Sequence, residues 1–277
     1  MAQHPPLTPL PSATTLDEVV DTIDSVIQWS IESSSRLGYF AALYKRITIA
    51  VRTAVADGVF EDGPRLQRLD VAFANRYFDA LNGHFHPGSY AKPTRSWQVT
   101  FDAATRAEPI ILQHMLAGIN AHIGLDLGIA TQESVPAARL WQLKTDFDRI
   151  NAVLASQVTG IVVDINELSP ALANIYAALM DNQILLINEA VRGFRDDAWR
   201  FATVLSVQPR FMRPVTIRLR DVRVARQGEL IYDPPGVVGL IQWAVTAVGA
   251  RESRDIVKNI RVLDEIANSP APIATAL

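Results

Sequence analysis

The sequence predicts an all-α, single-domain protein, a multi-helix bundle around one central buried helix at about 109–131. Three observations predict it. Long proline-free stretches lie between Pro136 and Pro170 and between Pro170 and Pro209. Apolar residues recur at helical rather than alternating spacing. No hairpin or βαβ pattern is visible, and a strand without a partner has nowhere to send its backbone hydrogen bonds.

The elements follow in order. Residues 1–14 carry four prolines within MAQHPPLTPLP and are expected to form a disordered head, with no basic or apolar region of a secretory signal. Thr15 before LDEVVDTIDSVIQWSIESS is a helix N-cap with acidic residues in the first turn. Further helical patterns span about 36–57, 65–83, 94–105, 109–131, 137–165 and 171–206, the last broken near Asp181-Asn182, then 213–227, 235–249 and 251–267. The segment VTIRLRDVRVA (215–225) alternates like a strand, but Asp221 breaks the phase and no second strand is available, so it is assigned to a helix. The domain is expected to cover 15–267, with a loose tail over 268–277.

Composition narrows the chemistry. Among 277 residues, 26 Lys+Arg face 29 Asp+Glu, which argues against a nucleic-acid partner. The absence of cysteine removes disulfides, thiolate nucleophiles and iron–sulfur clusters. The most apolar stretch, 110–130, holds His114, Asn120, His122 and Asp126, too polar for a membrane span, and with no secretory signal at the start a cytoplasmic location is expected. No phosphate-cradling glycine loop, HExxH, GxSxG or DDxxD occurs.

The informative segment is EPIILQHMLAGINAHIGLDLGIA (108–130). Pro109 suits the first turn, and Glu108 suits the N-cap end of the helix dipole. Apolar residues on every face mark a helix surrounded by others. Against them His114, Gly118, His122 and Asp126 fall at i, i+4, i+8 and i+12, a ridge drifting by ~40° per step. Gln113 and Asn120 form a second polar line. Each unpaired buried polar group costs roughly 1–3 kcal/mol, so the ridge needs partners or a purpose.

Taken as a purpose, the ridge is an interhelical site for a small apolar or amphipathic molecule, without a cofactor. His122 acts there as general base or acid oriented by Asp126, His114 is the second proton-transfer group, and Gln113, Gly118 and Asn120 bind substrate with Trp97 and Asn151. Cyclisation, isomerisation, dehydration and hydrolysis all suit that kit. Two alternatives stand beside it. In the first, a divalent metal ion is held by His122 and Asp126 with His84 and His86 from the loop NGHFHPGSY, giving a metal-dependent hydrolase or lyase. In the second, the ridge is a hydrogen-bond network in a non-catalytic binding or interaction protein. A homodimer built on the helices of Trp141 or Trp243 is a further partner reading.

The segments GVFEDGPRLQRLDVAFANRYFDAL (58–81), RSWQVTFDAA (95–104), TDFDRINAVL (145–154), RESRDIVKNIRVLDEI (251–266) and above all QHMLAGINAHIGLDLGIA (113–130) resemble an uncharacterised all-helical family of bacterial and fungal proteins whose hallmark is a QHLLLGMNAHINLDL-like helix. The resemblance implies the helical fold and puts the family's polar positions on Gln113, His114, Gly118, Asn120, His122 and Asp126, and on Trp97 and Asn151. The NGHFHPG loop departs from the pattern, and the family brings no activity with it.

Overall fold

The computed structural model describes residues 5–169, 183–233, 246 and 248–271. Among the described residues there are helices and turns but no strand, only an isolated bridge between Pro87 and Tyr90. Helix α1 (Leu16–Glu32) begins as expected at Thr15, whose side chain accepts from the Glu18 amide. Its buried residues Val19, Val20, Ile23, Val26 and Ile27 form one stripe, which packs on α2 (Leu37–Ala56). Helix α3 (Gly63–Phe85) starts on Asp62, which accepts from the Arg65 amide, with Pro64 in the first turn where no amide is needed.

Helix α4 (Arg95–Ala103) is capped from a distance. Asp221 Oδ2 and Oδ1 accept from the amides of Arg95 and Ser96, each at 2.9 Å. The residue that broke the strand phase of 215–225 thus ties α9 (Arg213–Tyr232) to α4. That segment is helical, and its helix runs to Tyr232 rather than to 227.

The expected central helix is α5 (Ile111–Ala121), a π-helical turn (His122–Leu127) and α6 (Gly128–Ser134) in one line. It begins later than Glu108. Gln113 Oε1 accepts from the Ile110 amide at 3.0 Å, and Glu252 Oε2 from the Ile111 amide at 2.9 Å. A 3₁₀ turn (Ala137–Leu143) leads into α7 (Lys144–Leu168), and α8 (Gln183–Val207) packs against it. Helix α10 (Ile256–Ala267) starts five residues after 251, on the N-cap Asp255. The expected break at Asp181-Asn182, most of the 235–249 helix and Trp243 lie outside the described residues. Trp141 is 66 % exposed, its ring 5.7 Å from that of Trp199.

Two features depart from the sequence reading. The proline-rich head is tied down over its described part. Leu7, Leu10 and Ala13 are buried, Asn82 exchanges hydrogen bonds with both the amide and carbonyl of Leu10, and Asn75 does the same for Ala13. The centre of the bundle is also shared. Helix α2 is buried on most of its faces and touches α1, α3, α5, α7 and α10. It carries Lys45 and Arg46 inward, where Lys45 meets Asp24 and Asp264 and Arg46 Nε donates to Gln157. No helix among the described residues is long and apolar enough to cross a membrane.

Candidate functional site

The polar ridge divides into separate roles. A step of four residues rotates the side chain by ~40°, so His114 and His122, two steps apart, point ~80° apart and do not share one space. His114 faces a narrow crevice of ≈10 Å³ beside Arg36, Trp97 and Phe101, with the Tyr232 hydroxyl 3.5 Å from Nδ1. Burial, with the charges of Arg36 and Arg106, pulls its imidazole down to about 3, so it stays neutral and is no base at ordinary pH.

Gln113 and Asn120 are bonded to backbone. Gln113 Nε2 donates to the Ile231 carbonyl at 2.7 Å, and Asn120 Nδ2 donates to the Val224 carbonyl at 2.9 Å, so both hold α9 against the central helix. Gly118 makes room for a ring rather than a ligand, because a Cβ there would overlap Phe40. Gly118→Ala is therefore expected to destabilise by about 1–3 kcal/mol, the range for overpacking a tight core, as read from urea unfolding.

Asn151 lies on α7, where the cavity described below is lined by Ile150 and Leu154 instead. The alternative metal set is not assembled. Helix α3 runs through His84, which packs against Phe85 and Phe101, and His86 Nε2 lies 2.6 Å from the Leu7 carbonyl. Among the described residues no group of three or more His, Asp or Glu side chains is placed to hold a metal ion.

What remains is one coherent unit at the π turn. The Asp126 carboxylate is 1 % exposed. Its Oδ2 accepts from Trp97 Nε1 at 2.7 Å and lies 3.3 Å from His122 Nδ1, and its Oδ1 accepts from Arg76 Nε at 3.1 Å. A carboxylate bonded in this way only accepts, so His122 Nδ1 carries the proton and Nε2 keeps its lone pair. The imidazole, 2 % exposed, is held in plane by stacking on Phe73 at 3.5 Å, with the Tyr44 ring edge-on at 4.7 Å. Burial lowers its proton affinity, partly offset by Asp126. Nε2 has no hydrogen-bond partner.

His122 lines a cavity of ≈370 Å³ between α2, α3, α5, the π turn, α7 and α8. Its walls are almost entirely apolar, among them Leu43, Ile47, Met115, Ile123 and Leu154. That volume falls in the range of about 300–1,000 Å³ typical of small-molecule sites. Four further polar side chains line it, and the sequence reading singled out none of them: Tyr44 and Thr48 of α2, Asp70 of α3 and Arg195 of α8.

Arg195 stacks over Phe147 at 4.3 Å and donates from Nη2 to the Phe147 carbonyl at 2.7 Å, leaving Nε without a partner. Burial pulls the guanidinium down to about 10, still protonated at neutral pH. Tyr44 Oη also makes no hydrogen bond. The nearby Thr48 hydroxyl gives its proton to the Tyr44 carbonyl, and burial followed by the Asp70 charge holds the phenol well above its ordinary value. Asp70 Oδ2 has no partner, and burial, opposed by Arg195, raises its carboxyl from 3.8 to about 6.

The folded chain therefore keeps the Asp70 proton between pH 3.8 and about 6, where the unfolded chain has released it, and stability falls as pH rises through that window. Asp70→Asn removes the penalty. It is expected to stabilise the protein by about 2–3 kcal/mol near pH 7.5 and to change it little near pH 4, as read from chemical unfolding at the two values.

Fold and site together define an all-helical protein with an aspartate-anchored imidazole facing an apolar cavity between helices. A family model described as "Family of unknown function (DUF5995)" matches residues 16–234, and the chain belongs to that family. No curated protein and no solved structure matches the chain.

Proposed function

We propose that this protein is an enzyme that takes a small, largely apolar molecule into the interhelical cavity and moves a proton on it with His122. The observation that carries this reading is a residue, His122, that lines the apolar cavity with its Nε2 buried and unpartnered and its other ring nitrogen bonded to Asp126. An imidazole in that tautomer accepts a proton at Nε2, and the carboxylate stabilises the imidazolium that forms. Tyr44, which lines the same cavity, offers a hydroxyl to a carbonyl or alcohol oxygen. Isomerisation, dehydration or cyclisation within a bound molecule would use these groups, and Trp97 and Arg76 serve by holding Asp126. His114 has no part in this reading.

The test is to extract the molecules that survive purification, identify them by mass spectrometry, and return them to the protein in deuterium oxide. The wild type is expected to convert the bound molecule or place deuterium in it, and His122→Phe is expected to bind it without either change. A second reading, a non-catalytic carrier, is favoured by the finding that only one of the two hub imidazoles reaches the cavity. Binding with neither conversion nor deuterium uptake in the wild type would establish the carrier and overturn the enzyme.

A further inference from the structure

Asp70 and Arg195 line the same cavity, close enough for each to shift the other's proton affinity, yet Asp70 Oδ2 and Arg195 Nε both lack a partner. Opposite charges left in this state are unsatisfied from both sides, one as an acceptor and one as a donor. Tyr44 and His122, which line the same cavity, add a second donor and a second acceptor without partners. The formal charge of the group is zero, because Asp70 offsets Arg195 and the imidazole is neutral.

We propose that the cavity is selective for an uncharged, hydroxyl-bearing apolar molecule, its hydroxyl lodged between Asp70 and Arg195 and its hydrocarbon body along Leu116, Ile123 and Val158. A hydroxyl gives one hydrogen bond and takes others, so it can satisfy Oδ2 and Nε together. A carboxylate cannot donate and meets the charge of Asp70. An ammonium cannot accept and meets Arg195. Removing either protein charge breaks the balance, and selectivity built on unfavourable pairings shifts when one of them is removed. The inference rests on the cavity binding reading above and adds the class of its ligand.

The test compares three probes of one chain length, 1-decanol, decanoate and decylammonium, titrated calorimetrically into the full-length protein at about pH 8, where Asp70 is ionised. Decanol is expected to bind the wild type at least about tenfold more tightly than either ion. In Asp70→Asn, where the charge of Arg195 is no longer balanced, decanoate is expected to gain about tenfold or more relative to decanol. The proposal is overturned if decanoate or decylammonium matches decanol on the wild type, if Asp70→Asn leaves the ratio unchanged, or if no probe binds. Ile123→Trp and Val158→Trp, each checked for native helicity, should abolish decanol binding by filling the cavity. Decanol binding that persists in both variants would overturn the cavity reading itself. Loss of binding there, without the charge preference, would overturn only the ligand class.

Discussion

Asp126→Ala is expected to lose about 3–5 kcal/mol of stability, the range for removing one partner of a buried, hydrogen-bonded charge network. The carboxylate is the common acceptor for the Trp97 indole, the Arg76 guanidinium and the His122 ring. Alanine leaves the indole N–H buried with no acceptor, at a cost of about 1–3 kcal/mol. Arg76 suffers less, because it is partly exposed and its Nη1 already lies 3.9 Å from Glu133. For a chain of this size the loss corresponds to a fall of about 10 °C in Tm. Asp126→Asn separates two effects. Its amide oxygen can still accept from Trp97, but the arrangement no longer demands a proton on Nδ1, so the imidazole is free to protonate Nε2 instead. The expected signature is a smaller stability loss than in alanine, with a changed tautomer in the nitrogen NMR spectrum of His122. A loss below about 1 kcal/mol in Asp126→Ala would show that indole and guanidinium find other acceptors and that no dyad is built here.

Those three donors also show how far the sequence could be read. The pair His122 and Asp126 was visible because i and i+4 meet on a helix, and they still meet across the π turn. Trp97 was visible as a residue to watch, but its bond to Asp126 depends on how α4 lies against the central helix. The extended ridge was not a single surface. Its drift around the axis, ~80° over the eight residues from His114 to His122, sends the two imidazoles to different spaces.

Asp70 and Arg195 were hidden for another reason. RLQRLDVAF and VRGFRDDAW carry a charge at nearly every turn, the pattern of a solvated helix face, and only the packing of α3 against its neighbours turns one of those charges inward. Lys45 and Arg46 are turned inward in the same way, and their partners Asp24, Asp264 and Gln157 come from three other helices. The proline-rich head had a composition that suggests disorder, but Asn75 and Asn82 supply the backbone partners that its prolines and bends leave unmet. Helix type and order, by contrast, follow from local patterning. The segment 215–225 is the exception, assigned to a helix because Asp221 breaks its alternation and the chain offers no strand to pair with it.

His122→Phe is expected to reduce turnover by about 10²–10⁴-fold while leaving stability unchanged or raising it by about 1 kcal/mol. A phenyl ring keeps the stack on Phe73 and the edge contact with Tyr44. It removes a buried nitrogen with no partner and a single 3.3 Å hydrogen bond, and Asp126 keeps its bonds to Trp97 and Arg76. The opposite signs carry the argument. A histidine placed to fix helix register contributes through its bonds, and replacing it with an apolar ring would lower stability and leave chemistry alone. A histidine that leaves a buried nitrogen unpartnered beside a cavity sits at a cost to the fold, and the same replacement relieves that cost while ending proton transfer. His114→Phe supplies the internal comparison, since it removes an imidazole that faces no cavity of useful size and should leave turnover intact. Urea unfolding and single-turnover conversion of the extracted ligand, measured on both variants, decide the matter. If His122→Phe loses about 2 kcal/mol or more with its ligand chemistry unimpaired, the imidazole is a structural group and the enzyme reading falls.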